Sequence, residues 1–375
     1  MKPTWFRITA AAVLILFLAG FQVQEVHAGP YLTSKYVCLL DGDTGQLIYG
    51  HNSDEIRPVA STTKMMTAIL AVEYADLEET VVISKNCDRT PEYTIGLLEG
   101  QESTVGELLK AALIKSANDA AVALAEHVAG NERFFSCLMS KKAFAIGAVN
   151  THFVNASGLP SQEHVSTAYD LAVMGRYLLS QDYINELVAA RHIEFKHPGY
   201  QQPLTITNTN GLLNSYNGAN GIKTGTTNAA GKCLVASAKR DNWQLIAVAL
   251  NSPDRNGDCT RLLNYGYQEV SQETVIDSSL PFKQIKITHG DQDYLDVYPE
   301  KDLILWQGTE EKNLEIEKKV EMEYSLTAPI SKNQAVGVLH VYVDGKLFAS
   351  TKLISHEDIA KKNRWISYLK EIFDY

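Results

Sequence analysis

Two kinds of hydrophobic spacing divide the chain. Tyr36 to Leu40 and Gln46 to Tyr49 flank the polar stretch Asp41-Gly42-Asp43-Thr44-Gly45, which predicts a β-hairpin closed by a Gly/Asp turn. Pro58 then ends an extended approach. From Ala60 to Val72 the period lengthens to that of a helix, with Ala60, Lys64, Ala68 and Val72 one above another at a spacing of four. A polar, strand-poor region runs to Gly100. Val105 to Ile114 is helical, with Leu108, Leu109, Ala112 and Leu113 on one side, and Asp119 to Val128 is an alanine-rich helix. Ser116 to Asn118 therefore sits at the joint of two buried helices, a place that can push a short polar tripeptide into a cleft and hold it rigid. Asn155 to Pro160 is a loop, and Thr167 with Asp170 forms a capping box that opens a helix to Leu179. Asn220 to Gly225, Gly231 to Lys239 and Trp243 to Leu250 read as strands, the last two joined by the tight turn Arg240-Asp241-Asn242. Three consecutive antiparallel strands plus the N-terminal hairpin make a five-stranded sheet with the helices inserted in between, an α/β domain with an antiparallel sheet.

From about Val275 the pattern changes to short alternating runs, Ile285 to Ile287, Leu303 to Trp306, Leu314 to Tyr324 and Val336 to Val343, which predict a smaller all-β domain. Helical spacing returns from Asn363. Trp365, Ile366, Leu369, Ile372 and Phe373 form one apolar stripe, with Arg364, Ser367, Lys370, Glu371 and Asp374 opposite. The stripe is too short to span a bilayer and is shaped to lie in its interface, giving a peripheral membrane contact; packing on the β domain is the alternative. At the other terminus, Lys2 and Arg7 precede an apolar run from Ile8 to Phe21 and the small-residue pattern Val26-His27-Ala28, read as an export signal rather than an uncleaved anchor. The expected organisation is a signal peptide over 1–28, an α/β domain over 29–272, a β domain over 273–354 and an amphipathic C-terminal helix over 355–375. This implies an exported protein at the outer face of the cytoplasmic membrane or elsewhere in the cell envelope, or a secreted one.

Composition narrows the partners. With 45% hydrophobic and 21% charged residues the chain is globular, and its net charge of −10 argues against nucleic acid as a partner. Five cysteines (Cys38, Cys87, Cys137, Cys233, Cys259) are scattered without metal-ligand spacing, so no metal and no cofactor is expected, and an odd number leaves at least one thiol free. Cys38 and Cys233 lie in apolar strand patterns and read as core residues.

The chemistry is placed at Ser61-Thr62-Thr63-Lys64. Three residues apart at the start of a helix, Ser61 and Lys64 share a face, so the hydroxyl stands near the amine that can take its proton. Moving a lysine pKa from about 10.4 to about 7 costs on the order of 4–5 kcal/mol, which burial, the positive end of a helix and a second cation can supply. The spacing alone is weak, because Ser367-Tyr368-Leu369-Lys370 repeats it in a polar tail. Order and company make the difference. Ser116-Ala117-Asn118 and then Lys223-Thr224-Gly225 follow; Lys-Thr-Gly occurs once, and the other Ser-x-Asn copies (Ser84, Ser215 and Ser331) lack the flanking helices. His164 reads as a structural, hydrogen-bonded histidine, since the lysine already fills the base role.

Together with Asn155 to Pro160, Ser166-Thr167 and Leu234-Val235-Ala236-Ser237-Ala238, these motifs resemble those of the D-alanyl-D-alanine carboxypeptidases, the low-molecular-mass penicillin-binding proteins of the penicillin-binding protein 5 type. The resemblance covers roughly residues 30 to 270 and, less specifically, the β domain. It implies a bacterial enzyme with a β-lactamase/transpeptidase-like fold that trims the terminal D-alanine from peptidoglycan stem peptides and is acylated by β-lactam antibiotics. Carried over, Ser61 is the nucleophile, Lys64 its base and Ser116 the proton relay to the leaving D-alanine. Asn118 holds the substrate amide, Lys223 keeps the potential positive and Thr224 meets the terminal carboxylate. The backbone N–H groups of Ser61 and Thr226 form the oxyanion hole. Gly225 is expected to be glycine because a substrate paired along this edge would be blocked by a side chain. Two departures stand out: Thr226 replaces the expected aromatic or histidine, and the carboxylate-binding arginine is either Arg255, in a short-looking turn, or Arg261. A β-lactamase would need an extra glutamate base between the second and third motifs, and none is recognisable. The remaining alternatives are a D,D-endopeptidase using the same site and a non-catalytic β-lactam sensor or scaffold.

Overall fold

The computed structural model describes residues 29–307 and 314–362. The export segment and the amphipathic stripe from Asn363 lie outside the described residues. The hairpin forms as expected, as β1 (Tyr36–Asp41) and β2 (Leu47–His51). Two short ribbons, β3 (Thr80–Val82) with β4 (Glu102–Thr104) and β5 (His192–Phe195) with β6 (Leu204–Thr207), decorate the helical part. β7 (Ala219–Thr227), β8 (Gly231–Arg240) and β9 (Trp243–Leu250) then complete an antiparallel five-stranded sheet in the order β2-β1-β9-β8-β7, which leaves β7 at an edge. Asp241 and Asn242 turn β8 into β9 with φ of 47° and 67°, the left-handed conformation that a two-residue hairpin demands and that Asp and Asn tolerate.

The central strands β1, β8 and β9 carry nearly continuous buried runs because both faces of the sheet are covered there. Cys38, Leu40, Cys233, Val235, Ile246, Val248 and Leu250 point into the larger core. There they meet α1 (Lys64–Tyr74), α2 (Val105–Lys110), α3 (Asn118–Ala129), α4 (Glu132–Ala145), α5 (Ala168–Leu179) and α6 (Asp182–Ala189). Their neighbours Val37, Leu39, Leu234, Ala236, Leu245 and Ala247 point the other way, onto Cys259, Leu262 and Leu263 of α7 (Arg255–Glu269). The segment after Asp254, expected to be a short turn, is thus a fifteen-residue helix whose N-cap is the Asp254 carboxylate, accepting from Gly257 N–H. At α5 half of the expected capping box forms: Thr167 Oγ1 accepts from Asp170 N–H at 3.0 Å, but the Asp170 carboxylate is turned to Asn150 N–H and the Thr151 hydroxyl instead of back to Thr167 N–H.

Beyond α7, β10 (Ser271–Ile276) pairs with β13 (Leu303–Gln307). A six-stranded sheet holds β11 (Lys283–Thr288), β12 (Tyr294–Pro299), β14 (Ile316–Met322), β15 (Ser325–Thr327), β16 (Ala335–Val343) and β17 (Lys346–Ser355), in the order β14-β16-β17-β12-β11-β15. A third core, including Val297, Leu305, Leu339, Val341 and Leu353, lies within this β domain. The α/β domain meets the β10–β13 ribbon just before β2, at Gln46, whose amide donates to Trp306 C=O at 2.7 Å and accepts from Trp306 N–H at 2.9 Å. Beside it the Trp243 and Trp306 rings stack at 3.6 Å and 5°.

Candidate active site

The turn that carries Ser61 is tight. Ala60 sits at φ 51°, a left-handed conformation that is strained for a residue with a Cβ and recurs at catalytic centres. Ala60–Thr63 then form a 3₁₀ turn that runs into α1. Thr62 and Thr63 hydroxyls donate to the carbonyls of Val59 and Ala60, each at 2.7 Å, and pin the turn from within. His164, buried, accepts from Val154 N–H on Nδ1 at 3.1 Å, which leaves its proton on Nε2, facing Thr63 Oγ1 at 2.7 Å. Burial lowers its pKa to about 4, so it is neutral, and its role is structural as expected.

Lys64 is fully buried, with Nζ 3.0 Å from Ser61 Oγ, 2.6 Å from Asn118 Oδ1 and 2.7 Å from the Ser157 carbonyl. A neutral amine has two N–H groups and one lone pair. Asn118 Oδ1 and the Ser157 carbonyl can only accept, so they take both hydrogens and leave the lone pair to the Ser61 hydroxyl. Burial, then the nearby Lys223 charge, push the Lys64 pKa well below the usual lysine value, against a smaller opposing pull from Asp119. This is the base that the serine lacks on its own.

The Ser157 carbonyl is itself built. Asn155 Oδ1 accepts from Ser157 and Gly158 N–H, Thr67 Oγ1 donates to Ala156 C=O, and Glu132 accepts from Ala156 N–H. A Cβ on Gly158 would lie 2.0 Å from Ala60 O, so only glycine lets this loop close on the nucleophile turn. The role of Ser157 was missed from sequence because a main-chain acceptor leaves no side-chain signature; the Asn at the head of the loop was the available signal.

Ser116 ends the wide helical turn Ala111–Lys115 in a left-handed conformation, φ 68°, and its Oγ accepts from Lys223 Nζ at 2.9 Å. Two residues on, Asn118 opens α3 and donates from Nδ2 to Glu92 C=O at 3.0 Å while Oδ1 faces Lys64. The buried Asp119 carboxylate accepts N–H from Ile95, Gly96 and Leu97, and so holds the segment beside Asn118. Lys223 is 1% exposed and also donates to the Thr224 carbonyl; burial and the Arg255 charge lower its pKa to about 7.

On edge strand β7, Thr224 Oγ1 lies 2.7 Å from Thr209 Oγ1. Arg255, at the first turn of α7, donates from one guanidinium nitrogen to the Gly225 carbonyl at 2.9 Å, Thr226 Oγ1 at 3.0 Å and the Cys233 carbonyl at 3.2 Å. Arg261 is turned to Asp258 and Asp254. The structure adds a packing reason for glycine at 225. A Cβ there would meet Ser61 N at 3.0 Å, Ala60 Cβ at 3.1 Å and Thr62 N at 3.1 Å, so the position is small in order to pack against the nucleophile turn. The structure thus joins Ser61 and Asn118 to Lys64, and Ser116 to Lys223, by direct hydrogen bonds, with the Lys223 charge felt at Lys64, and places Thr224, Gly225, Thr226 and Arg255 along the adjoining edge. Among the described residues no cluster of metal-ligating side chains occurs.

Comparison with known proteins identifies a family. The family model described as D-alanyl-D-alanine carboxypeptidase matches residues 22–254, and that of the penicillin-binding protein 5 C-terminal domain matches residues 271–361. The chain is 33% identical to D-alanyl-D-alanine carboxypeptidase DacF of Bacillus subtilis, covering 90% of this chain and 88% of the relative. It is 31% identical to DacC of Escherichia coli, covering 93% and 90%. Among solved structures, penicillin binding protein 5 from Haemophilus influenzae superposes with a TM-score of 0.71 at 26% identity, covering 89% of this chain and 99% of that one.

Proposed function

The chain belongs to the D-alanyl-D-alanine carboxypeptidase family and is a serine-type, penicillin-binding D-Ala-D-Ala carboxypeptidase of the penicillin-binding protein 5 type; on that premise we propose how its residues divide the work. Ser61 Oγ attacks the carbonyl of the penultimate D-alanine as its proton passes to the neutral Lys64 amine. The developing oxyanion is met by the backbone N–H groups of Ser61 and Thr226. Collapse breaks the peptide bond, and the proton on Lys64 reaches the departing D-alanine nitrogen through Ser116. Asn118 holds the substrate amide. Thr224 meets the terminal carboxylate, with Thr226 and Arg255 beside it and the Lys223 charge behind it. Water then cleaves the ester and restores Ser61. A β-lactam follows the first half of this path, and because its leaving nitrogen stays tethered, the ester persists.

One observation carries this assignment: a buried amine whose two obligate acceptors leave its lone pair for Ser61. The test is release of D-alanine from diacyl-L-Lys-D-Ala-D-Ala together with labelling by a fluorescent penicillin. Ser61→Ala should abolish both, since both need the same acyl-enzyme, and labelling that persists would put the nucleophile elsewhere, with Ser367 the next candidate. Comparing pentapeptide with cross-linked muropeptide separates carboxypeptidase from endopeptidase action at the same site.

The substrate places the enzyme in the cell envelope. We assign residues 1–28 to export, 29–272 to the catalytic domain, 273–362 to the β domain and 363–375 to contact with the outer face of the cytoplasmic membrane; the boundary expected at 354 moves because Ile359 is buried in the β-domain core and bridges Ile330, and Lys361 bridges Gly290. Support for the last comes from the apolar stripe Trp365, Ile366, Leu369, Ile372 and Phe373. Among the described residues no helix is long and apolar enough to cross a membrane. Truncation before Asn363 should release the enzyme from membranes with activity on soluble peptide intact; a truncated protein that stays bound overturns the assignment.

A further inference from the structure

We propose that Thr209 is a positioning residue for carboxylate recognition, acting by turning the Thr224 hydroxyl toward the substrate. The inference rests on the reading that Thr224 meets the terminal carboxylate, and it explains how a neutral hydroxyl can be committed to that task.

A threonine hydroxyl carries one hydrogen and can spend it on any nearby acceptor. Thr224 Oγ1 has such an acceptor, Thr209 Oγ1, at 2.7 Å, a separation at which either oxygen can be the donor. Only one direction serves an anion. If Thr209 donates, Thr224 accepts on a lone pair and its own hydrogen is free for the carboxylate. The two bonds then run head to tail, and each polarises the next. An arriving carboxylate selects that direction, because an anion accepts and cannot donate.

Thr209 is held where it can do this. Asn208 on one side donates from Nδ2 to the carbonyls of Val188 and Ala190, at 3.2 and 3.0 Å. On the other side the fully buried Asn210 donates to Gly221 C=O on β7 itself, at 2.7 Å. Thr209 N–H donates to Ile114 C=O, just before Ser116. The segment is therefore tied to the Ala111–Lys115 turn region through Ile114 and to β7 through Gly221, while Thr209 remains exposed and Thr224 is 5% exposed. Neither asparagine is free to drift, so the spacing of the two hydroxyls is a property of the fold.

The test uses the full chain with Thr209→Val, which removes the hydroxyl at nearly constant shape, and Thr209→Ser, which keeps it. Each is assayed for D-alanine release and for acylation by benzylpenicillin and by its methyl ester, followed by intact-protein mass. Thr209→Val should lower kcat/KM on the peptide about tenfold, mostly through KM, and slow acylation by benzylpenicillin similarly while leaving the methyl ester within about twofold. Thr209→Ser should stay within about twofold of wild type on all three. Equal losses on acid and ester, or no loss on either, would overturn the proposal. Thr224→Val separates the two levels. If it does not discriminate acid from ester, the reading of Thr224 fails; if it does and Thr209→Val does not, only the role of Thr209 fails.

Discussion

The catalytic region and the β domain bury different things. Up to the end of α7 the interior holds Asp41, Lys64, Asp119, Asp170, Lys223 and Asp258, whereas from β10 onward the buried polar residues among those described are Thr351 and Ser355. Charge taken out of water is costly unless it is paired or fully hydrogen-bonded, so its distribution shows where the fold has accepted a cost. Within the catalytic region the carboxylates and the lysines differ again. Asp258 is surrounded by donors from Thr33, Ser34, Ser252 and Arg261 and serves as a structural anchor. The hydrogen-bond partners of Lys64 and Lys223 are uncharged oxygens. A buried cation answered only by neutral acceptors is poised to lose its proton, which marks reactivity rather than anchorage.

The strongest way to break this contrast is Lys64→Arg. Guanidinium keeps the positive charge but does not deprotonate in a protein, so acylation should fall by about 10²–10⁴-fold, the span of general-base catalysis. Stopped-flow acylation by a chromogenic β-lactam measures it, and a variant within a few-fold of wild type would remove Lys64 from the base role. The second test is pH. Lys223, with a pKa near 7 in the fold and an ordinary value of 10.5, must be charged to attract the carboxylate, so kcat/KM should fall as pH rises above about 7. Stability from the same group moves oppositely. Between pH 7 and 10.5 the unfolded chain binds the extra proton, so this lysine makes unfolding harder as pH rises. Lys223→Arg should flatten the alkaline limb of the kcat/KM profile, and a limb that survives unchanged belongs to another group. On the acid side the rate should rise with pH as Lys64 loses its proton.

How much of this was readable beforehand follows from the range of the interactions. Ser61 and Lys64 are three residues apart, and local geometry alone brings them to 3.0 Å. The five-stranded sheet was legible because turn chemistry at Asp241-Asn242 and in the 41–45 hairpin fixes neighbours along the chain. Left-handed backbone at Ala60 and Ser116 was not, since neither residue type favours it and tertiary contacts impose it. The packing reason for Gly225 was hidden for a related cause: what a Cβ would meet there depends on the nucleophile turn packed against β7. Helix α7 was hidden by Gly257 and Gly266, which weaken its helical pattern, although Cys259, Leu262 and Leu263 carried the correct spacing. In the β domain, β12 was missed although Leu295, Val297 and Pro299 alternate inward, because the strand is short and tyrosines hold outward positions, while β17 alternates only in part before a buried run at its end.

A smaller effect tests the β domain as scaffold. Leu339 and Val341 on β16 are fully buried in a core without buried charge. Leu339→Ala should cost about 2–5 kcal/mol in the unfolding of this domain through lost burial and a residual cavity. Urea unfolding measures the loss, and kcat/KM on soluble peptide below the transition should stay within about twofold. An activity loss comparable to that of a catalytic variant would show that the contrast between the regions is false.

The smallest effect is expected where the regions touch. Gln46 pairs its side-chain amide with both main-chain groups of Trp306, much as a neighbouring strand would, and the Trp243 ring lies flat on the Trp306 ring. This joint is at the Trp243 end of β9, where Trp243 pairs with Arg240, whereas Cys233, the partner of Gly225, lies seven residues back along β8. At about 3.3 Å per residue that places the joint roughly 23 Å from the catalytic edge. Gln46→Ala removes two neutral hydrogen bonds worth about 0.5–1.5 kcal/mol each and leaves both cores untouched. Coupling between the two unfolding transitions should therefore weaken by about 1–3 kcal/mol, seen in calorimetry as the β domain melting earlier relative to the catalytic domain. Activity on soluble peptide should not change. If it falls more than a few-fold, the sheet transmits the state of the joint to its far end, and the β domain contributes to the site rather than only carrying it.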